Sequence, residues 1–296
     1  MLLQKYFETR LDLIETGLKQ SLGSQSAPAK DLKKAMHYAV FSGGKRWRPL
    51  LLVAMYEMLT GMRKNKAGLE AAVIAATAVE LAHNASLVHD DMPMLMNSQQ
   101  RRSGQPVHTK FGNTIGILAG DALYTLSFEV LSRIKSPKHA LACIRILANY
   151  TKSYGLIGGQ AVALESQRKV MKINTLRYID MKKVGSLLQA AADMSCVLAG
   201  ADENLRQIMN TYALNLGMAY RMIEDIAADY SRGGEDLDFD AEFVPASRHS
   251  YTGLLGFDKA RQAVDKTLIE AERLIKPFKH NDVLVEFLEM IKERLP

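Results

Sequence analysis

Three groups of residues carry side chains that could do chemistry together. The first is basic: Ser42-Gly-Gly-Lys-Arg-Trp-Arg-Pro places Lys45, Arg46 and Arg48 after a glycine pair and just before a helix starting near Pro49. Flexible backbone, several cations and free helix N–H groups make an anion site, although the same residues also suit a basic helix start that faces water. The second is the end of an Ala-rich segment, Glu80 to Pro93, with Asp90 and Asp91 adjacent. On a helix Glu80, Asn84, Leu87 and Asp91 share one stripe, with His83 and Asp90 on its flank. Two carboxylates at a helix C-terminus meet the negative end of the dipole; a bound Mg²⁺ would relieve this, and so would simple solvation. The third is Tyr220 to Asp229, where Glu224 and Asp225 close another long segment and Asp225 and Asp229 are i,i+4 neighbours. Between them runs a basic stretch, Arg101-Arg102 and His108 to Lys110, that could fold back over Asp90 and Asp91. Two acidic helix ends facing each other, with Lys and Arg at the rim, would hold a Mg²⁺–diphosphate. His89 and His108 are expected to have satisfied hydrogen bonds and no catalytic role.

The elements that must position these groups are helices. Apolar residues recur with a 3.6-residue period over roughly 3–21, 31–42, 48–60, 67–91, 114–134, 138–153, 174–199, 203–229, 256–275 and 281–294. Prolines mark the segment edges at Pro28, Pro49, Pro93, Pro106, Pro137, Pro245 and Pro277. No run reads as a strand, so the expected class is all-α, a bundle within a single domain spanning 1–296. The stretches around 67–91, 174–199 and 203–229 are rich in Ala and Gly and poor in charge, which predicts helices surrounded by others. Residues 97–112 and 231–251 read as loops, the second with the acidic run Glu235 to Glu242.

Composition narrows the function. At 48% hydrophobic and 24% charged, the 296-residue chain is globular rather than disordered. A net charge of +6 with no basic stripe interleaved with aromatics argues against nucleic acid. Cys143 and Cys196 lack metal or redox spacing and suggest a reducing compartment, with the cytoplasm as the default. The N-terminal MLLQKYFETRLDLIE has charge in every turn, unlike a signal peptide, and the apolar stretch Ala71 to Ala82 is too short to cross a bilayer, so no transmembrane segment is expected.

Several of these motifs, in this order, resemble the trans-type polyprenyl (isoprenyl) diphosphate synthases, which include farnesyl and geranylgeranyl diphosphate synthases. Gly43-Gly-Lys-Arg-Trp-Arg-Pro is similar to that family's GGKR-R-P segment, and Glu80 to Pro93 to its E-L-x-H…L-x-H-D-D-[LM]-P block. Arg101-Arg102, Leu118-Ala-Gly-Asp-Ala-Leu, Gly158-Gly-Gln160 and the helix at Gly217 follow in family order, so the likeness covers almost the whole chain. It implies helices around a deep apolar cavity, in a homodimer. It also implies that Lys45, Arg48, His83 and Arg102 hold isopentenyl diphosphate and that Arg101 and Lys183 hold an allylic diphosphate. Gln160 and Tyr220 would join the substrate site, and Asp90, Asp91, Glu224 and Asp225 would carry Mg²⁺. The implied reaction is ionisation of the allylic C–O bond, alkylation of the isopentenyl double bond and loss of a proton to pyrophosphate.

The chain departs from that pattern mainly on the metal side. Met96 stands where the family's first motif has its third aspartate, and a thioether is a poor Mg²⁺ ligand. Ser103-Gly104 lengthens the loop after the arginine pair. The second motif has Glu224 for aspartate, Arg221 for glutamine and Ala228 for the last acid. The displaced acid, Asp229, is about 100° round the helix and should point elsewhere. Val184, Ala163 and Arg248 are further replacements. The expectation is a prenyltransferase with altered or reduced activity; the alternatives are an impaired subunit that pairs with an active synthase, or a terpene-synthase-like lyase. Ala85 and Ser86, small residues one turn above Asp90, predict a product of C20 or longer.

Overall fold

The structure is a computed structural model and describes residues 2–23, 28–63, 65–101, 104–167, 169–230 and 249–296. The described residues are helical, in chain order α1 (Leu2–Leu22), α2 (Lys30–Phe41), α3 (Trp47–Leu59), α4 (Lys66–Asp90), α5 (Val107–Phe111), α6 (Asn113–Ser132) and α7 (Pro137–Thr151). There follow α8 (Leu156–Ser166), α9 (Ile173–Asp180), a π-helical turn (Met181–Gly185), α10 (Ser186–Ala199), α11 (Glu203–Tyr230), α12 (Tyr251–Leu255), α13 (Phe257–Ile275) and α14 (Asp282–Lys292). Among them no strand forms; Arg101 and Gly104 make an isolated bridge. The chain divides into two compact units, one of residues Gln4–Leu147 with Val197–Gly200, the other of Met1–Leu3, Ala148–Cys196 and Ala201–Pro296.

In the first unit α4 is the central helix, packed mainly against α3 and α6. Asn65 caps it by accepting the Gly68 N–H, and an almost unbroken run from Ala75 to Ala82 is buried. Small residues let the neighbours come close. A Cβ on Gly17 would lie 2.5 Å from Thr77 Oγ1, and one on Gly120 2.1 Å from His89 Nε2, so α1 and α6 approach α4 only through glycine. By length and composition α4 and α6 could each cross a membrane, which extends the apolar segment well beyond Ala71 to Ala82. Within the fold 67% of the α4 window is buried, as suits a core helix, against 39% of the α6 window.

In the second unit α11 packs along α13. The stripe Met209, Tyr212, Ala213, Leu216, Met222, Ile223 and Ile226 meets Ala260, Val264, Leu268, Ala271 and Ile275, each set at helical spacing. Only the ends of α11 are exposed, as at Glu203, Gln207 and Tyr230; from Ile208 to Ala227 each residue is buried or half-buried, as its composition suggests. The predicted helix 174–199 runs without a gap through α9, the π-turn and α10, and three helices were not expected: α5 inside the supposed loop 97–112, α8, and α12. α5 and α12 are single turns, too short for periodicity to reveal. Arg102, Ser103, Arg248 and the acidic run Glu235 to Glu242 lie outside the described residues.

Both cysteines are buried and unbonded, and burial pushes each thiol up to about 12. Neither is a nucleophile near neutral pH.

Candidate functional site

The basic segment divides its three cations between two tasks. Gly43 and Gly44 take φ values of 107° and 123°, and Arg46 follows at 51°, so the chain turns sharply into α3. That turn sends Arg46 inward: Nε reaches Glu15 at 2.8 Å, Nη1 reaches Glu80 at 3.0 Å, and Nη2 donates to the Val40 carbonyl at 2.5 Å. Arg46 is a structural cation and is not offered to a ligand. Arg48 instead places Nη1 3.3 Å from His83 Nε2 while its guanidinium lies over the Trp47 ring, 4.9 Å from the centroid. A guanidinium has no acceptor, so His83 Nε2 receives this bond. Both side chains are half-buried, and Lys45 is exposed.

The polar residues on α4 find their partners within the unit. Asn84 donates to the Glu80 carbonyl and carboxylate at 2.8 and 3.1 Å, and the same carboxylate takes Arg46. His89 Nε2 lies 3.1 Å from the Ile117 carbonyl oxygen. His108 Nε2 meets Thr109 Oγ1 at 3.2 Å, but its buried Nδ1 has no hydrogen-bond partner, contrary to the expectation of a satisfied ring.

The turn after α4 folds the chain back. Met96 N–H bonds to the Asp90 carbonyl at 3.1 Å, and Asn97, at φ 48°, bonds to Met92. This return brings Arg101 onto Asp91 in a two-pronged pair, Nε to Oδ2 at 2.7 Å and Nη2 to Oδ1. Asp91 is buried and Asp90 half-buried, and both negative charges help hold Arg101 protonated. The Met96 side chain is exposed.

The second acidic helix end, in the other unit, is differently furnished. Arg221 pairs with Asp225 one turn along α11, and its Nε is 3.5 Å from Asp180 Oδ1. The remaining Asp225 oxygen accepts the Tyr251 N–H at 3.1 Å. Glu224 meets Arg294 Nη1 at 2.6 Å, and that guanidinium lies over Tyr220, 5.3 Å from the ring centroid. Asp229 turns into the protein and accepts from Ser250 Oγ at 3.0 Å and from Thr252, while Ala228 occupies the exposed place. Burial pushes the Asp180 carboxyl up to about 6, against the pull of Arg221 and with a further push from Asp225. Burial also raises Asp225, opposed by Arg221 and the Tyr251 N–H.

Two further features of this unit concern expected substrate residues. Both side-chain polar atoms of Gln160 are buried without a hydrogen-bond partner, a cost that a bound polar ligand would remove. Lys183 is half-buried in the π-turn, and such turns recur at functional positions. A Cβ on Gly159 would come within 2.4 Å of Lys182 Cβ, so α8 can approach this turn only as glycine. Sequence reasoning missed Arg294, Asp180 and Tyr251, whose pairings no local spacing signals.

Mg²⁺ commonly binds through one or two carboxylates together with substrate phosphates. Half-buried Asp90 fits that requirement, while Asp91 beside it is held on both oxygens by Arg101. Glu224 and Asp225 fit it poorly because arginines already hold them. Among the described residues no group of three or more His, Cys, Asp or Glu is arranged to hold a metal ion.

The chain is similar to several known proteins. A 33% identical relative over 285 residues, covering 95% of this chain and 80% of that protein, is a dimethylallyltranstransferase of Fischerella ambigua. A farnesyl diphosphate synthase of Geobacillus stearothermophilus is 34% identical over 227 residues, 75% of this chain and 74% of its own length. Among solved structures, an FPP/GFPP synthase from Zymomonas mobilis superposes with a TM-score of 0.84 at 29% identity, covering 98% of each chain. A geranyltransferase from Legionella pneumophila gives a TM-score of 0.84 at 26% identity, covering 99% of this chain and 98% of that one. The polyprenyl synthetase family model matches residues 29–238, and the chain belongs to that family.

Proposed function

We propose that this protein joins isopentenyl diphosphate head-to-tail to an allylic diphosphate. The observation that carries the reading is the Arg48–His83 pair, which gathers a permanent cation and an imidazole beside exposed Lys45. They form an anchor for isopentenyl diphosphate, to which the family resemblance adds Arg102, outside the described residues. In the first unit Arg101 is a cation for the allylic diphosphate; in the second, Lys183 and Gln160 suit a phosphate group, which would give Gln160 the partners its buried amide lacks. Mg²⁺, held at the first acidic end through Asp90, would neutralise charge on the leaving diphosphate. As the allylic C–O bond breaks, cations such as Arg101 stabilise the departing pyrophosphate; the isopentenyl alkene then forms the new C–C bond, and pyrophosphate takes the proton that is lost. The buried, small Ala85 supports a product of C20 or longer. Exposed Ile117 and Leu118 on the apolar α6 support a homodimer, and two unbonded thiols suit a reducing compartment such as the cytoplasm.

The arginine pairing at Glu224 and Asp225 favours a second reading, an impaired chain that partners an active synthase. Incubation with Mg²⁺, isopentenyl diphosphate and C5, C10 or C15 allylic diphosphates separates the two. Elongated prenyl diphosphates support transfer, hydrocarbon would indicate a lyase, and no product would indicate the subunit. A geranyl diphosphate product alone would contradict the chain-length proposal.

A further inference from the structure

We infer that Arg221 and Arg294 take the place of divalent metal at the second acidic helix end, so that metal uptake belongs to the first end, through half-buried Asp90, the adjacent Asp91 being held by Arg101. The inference rests on the diphosphate-binding reading above and narrows it to one metal-binding end. Every carboxylate of the second end is already committed. Asp225 has the Arg221 guanidinium on one oxygen and the Tyr251 N–H on the other, with its side chain 5% exposed. Glu224 is held by Arg294, which is itself stacked on Tyr220. Asp229 is bonded to Ser250 and Thr252. Asp180, the remaining acid of the cluster, faces Arg221 and also feels Lys183.

Mg²⁺ demands near-octahedral oxygen ligands and gives up water reluctantly. To enter here it would have to expel a guanidinium from a buried carboxylate, stranding a cation among groups that no longer balance it. Asp180 Oδ2 is buried and has the buried Tyr251 hydroxyl within hydrogen-bonding reach. One oxygen and a phenol do not make a Mg²⁺ shell. The position of Arg221 strengthens the case: it lies one helical turn from Asp225, the spacing at which a helical ion pair forms without help from elsewhere in the chain.

The test counts Mn²⁺ bound per chain by electron paramagnetic resonance, with and without inorganic pyrophosphate, in the whole protein and its variants. Asp90→Asn should weaken Mn²⁺ binding at least tenfold, while Asp225→Asn and Glu224→Gln leave it within twofold. Arg221→Gln, alone or with Arg294→Gln, should add a Mn²⁺ site that Asp225→Asn then removes. Loss of Mn²⁺ in Asp225→Asn or Glu224→Gln on the unaltered background would overturn the inference, as would no added site in the arginine variants. Circular dichroism and thermal melting identify any variant that fails to fold; Glu224→Gln, on a half-buried residue, still decides if Asp225→Asn does. A protein that binds no pyrophosphate under any condition would count against the proposed function instead, and the arginine variants would still decide this inference by Mn²⁺ alone.

Discussion

Arg46 Nη1 lies 3.0 Å from Glu80 Oε1, with the two side chains 4% and 3% exposed. The contact ties the turn before α3 to the middle of α4, and with Glu15 and the Val40 carbonyl it fixes the start of the helix that carries Arg48. Breaking a buried pair from one side leaves an uncompensated charge, which costs about 3–5 kcal/mol. Glu80→Ala should therefore destabilise the protein by about that amount in urea unfolding. A loss below about 1 kcal/mol would show that water reaches the remaining arginine.

Arg48 and His83 should behave in the opposite way. Both are half-buried and close to each other, so removing either leaves the fold largely intact but takes away a charge-assisted contact to a diphosphate. Such contacts are worth about 1.5–3 kcal/mol, or roughly 10- to 100-fold in affinity. Calorimetric titration with isopentenyl diphosphate should show that loss for Arg48→Ala and a loss toward the lower limit for His83→Ala, with melting temperatures nearly unchanged. Unchanged affinity in both would remove the main support for the proposed anchor.

The contrast between Arg46 and Arg48 shows what could be read from the chain alone. Helix α4 was legible because its apolar period is long, and so was the return of Arg101, because a short loop has few places to go. The inward displacement of Asp229 followed from helix geometry alone: one residue is 100°, and Ala228 and Asp229 are indeed exposed and buried. The choice of Arg46 over Arg48 as the buried cation was not legible, since it depends on a left-handed residue after two glycines. Neither was the Glu224–Arg294 pair, whose members are far apart in sequence. Helix α8 was not legible because a glycine pair, Gly158 and Gly159, weakens any helical pattern, although Gly159 serves close packing against the π-turn.

Asp180 gives a pH dependence with a definite sign. Its carboxyl is raised from the ordinary 3.8 to about 6 in the folded protein, chiefly by burial. The folded state therefore holds this proton more tightly than the unfolded one, and the resulting stability is complete below about pH 4 and lost as pH rises through 6. Asp180→Asn removes the titration. The variant should gain stability relative to the parent between pH 5 and pH 8, read from paired denaturation curves. A parent-to-variant difference that is flat across that interval would place the group's ionisation elsewhere.

The outward face of α6 supplies the last prediction. Gly116, Ala119, Gly120 and Leu123 are buried, whereas Ile117 and Leu118 remain 42% and 45% exposed beside exposed Asp121. Apolar area gains about 25 cal/mol per Å² when it leaves water, so two such side chains on an otherwise apolar helix favour a covering surface, which in the proposed homodimer would be a second copy of the chain. Leu118→Glu in both copies would bring carboxylates into that surface, where they would lose hydration without gaining a cation. Sedimentation velocity should show a dimer for the parent and a shift toward monomer for Leu118→Glu, with helical content unchanged by circular dichroism. A parent that sediments as a monomer at micromolar concentration would mean that α6 faces solvent and that its apolar side chains serve some other contact.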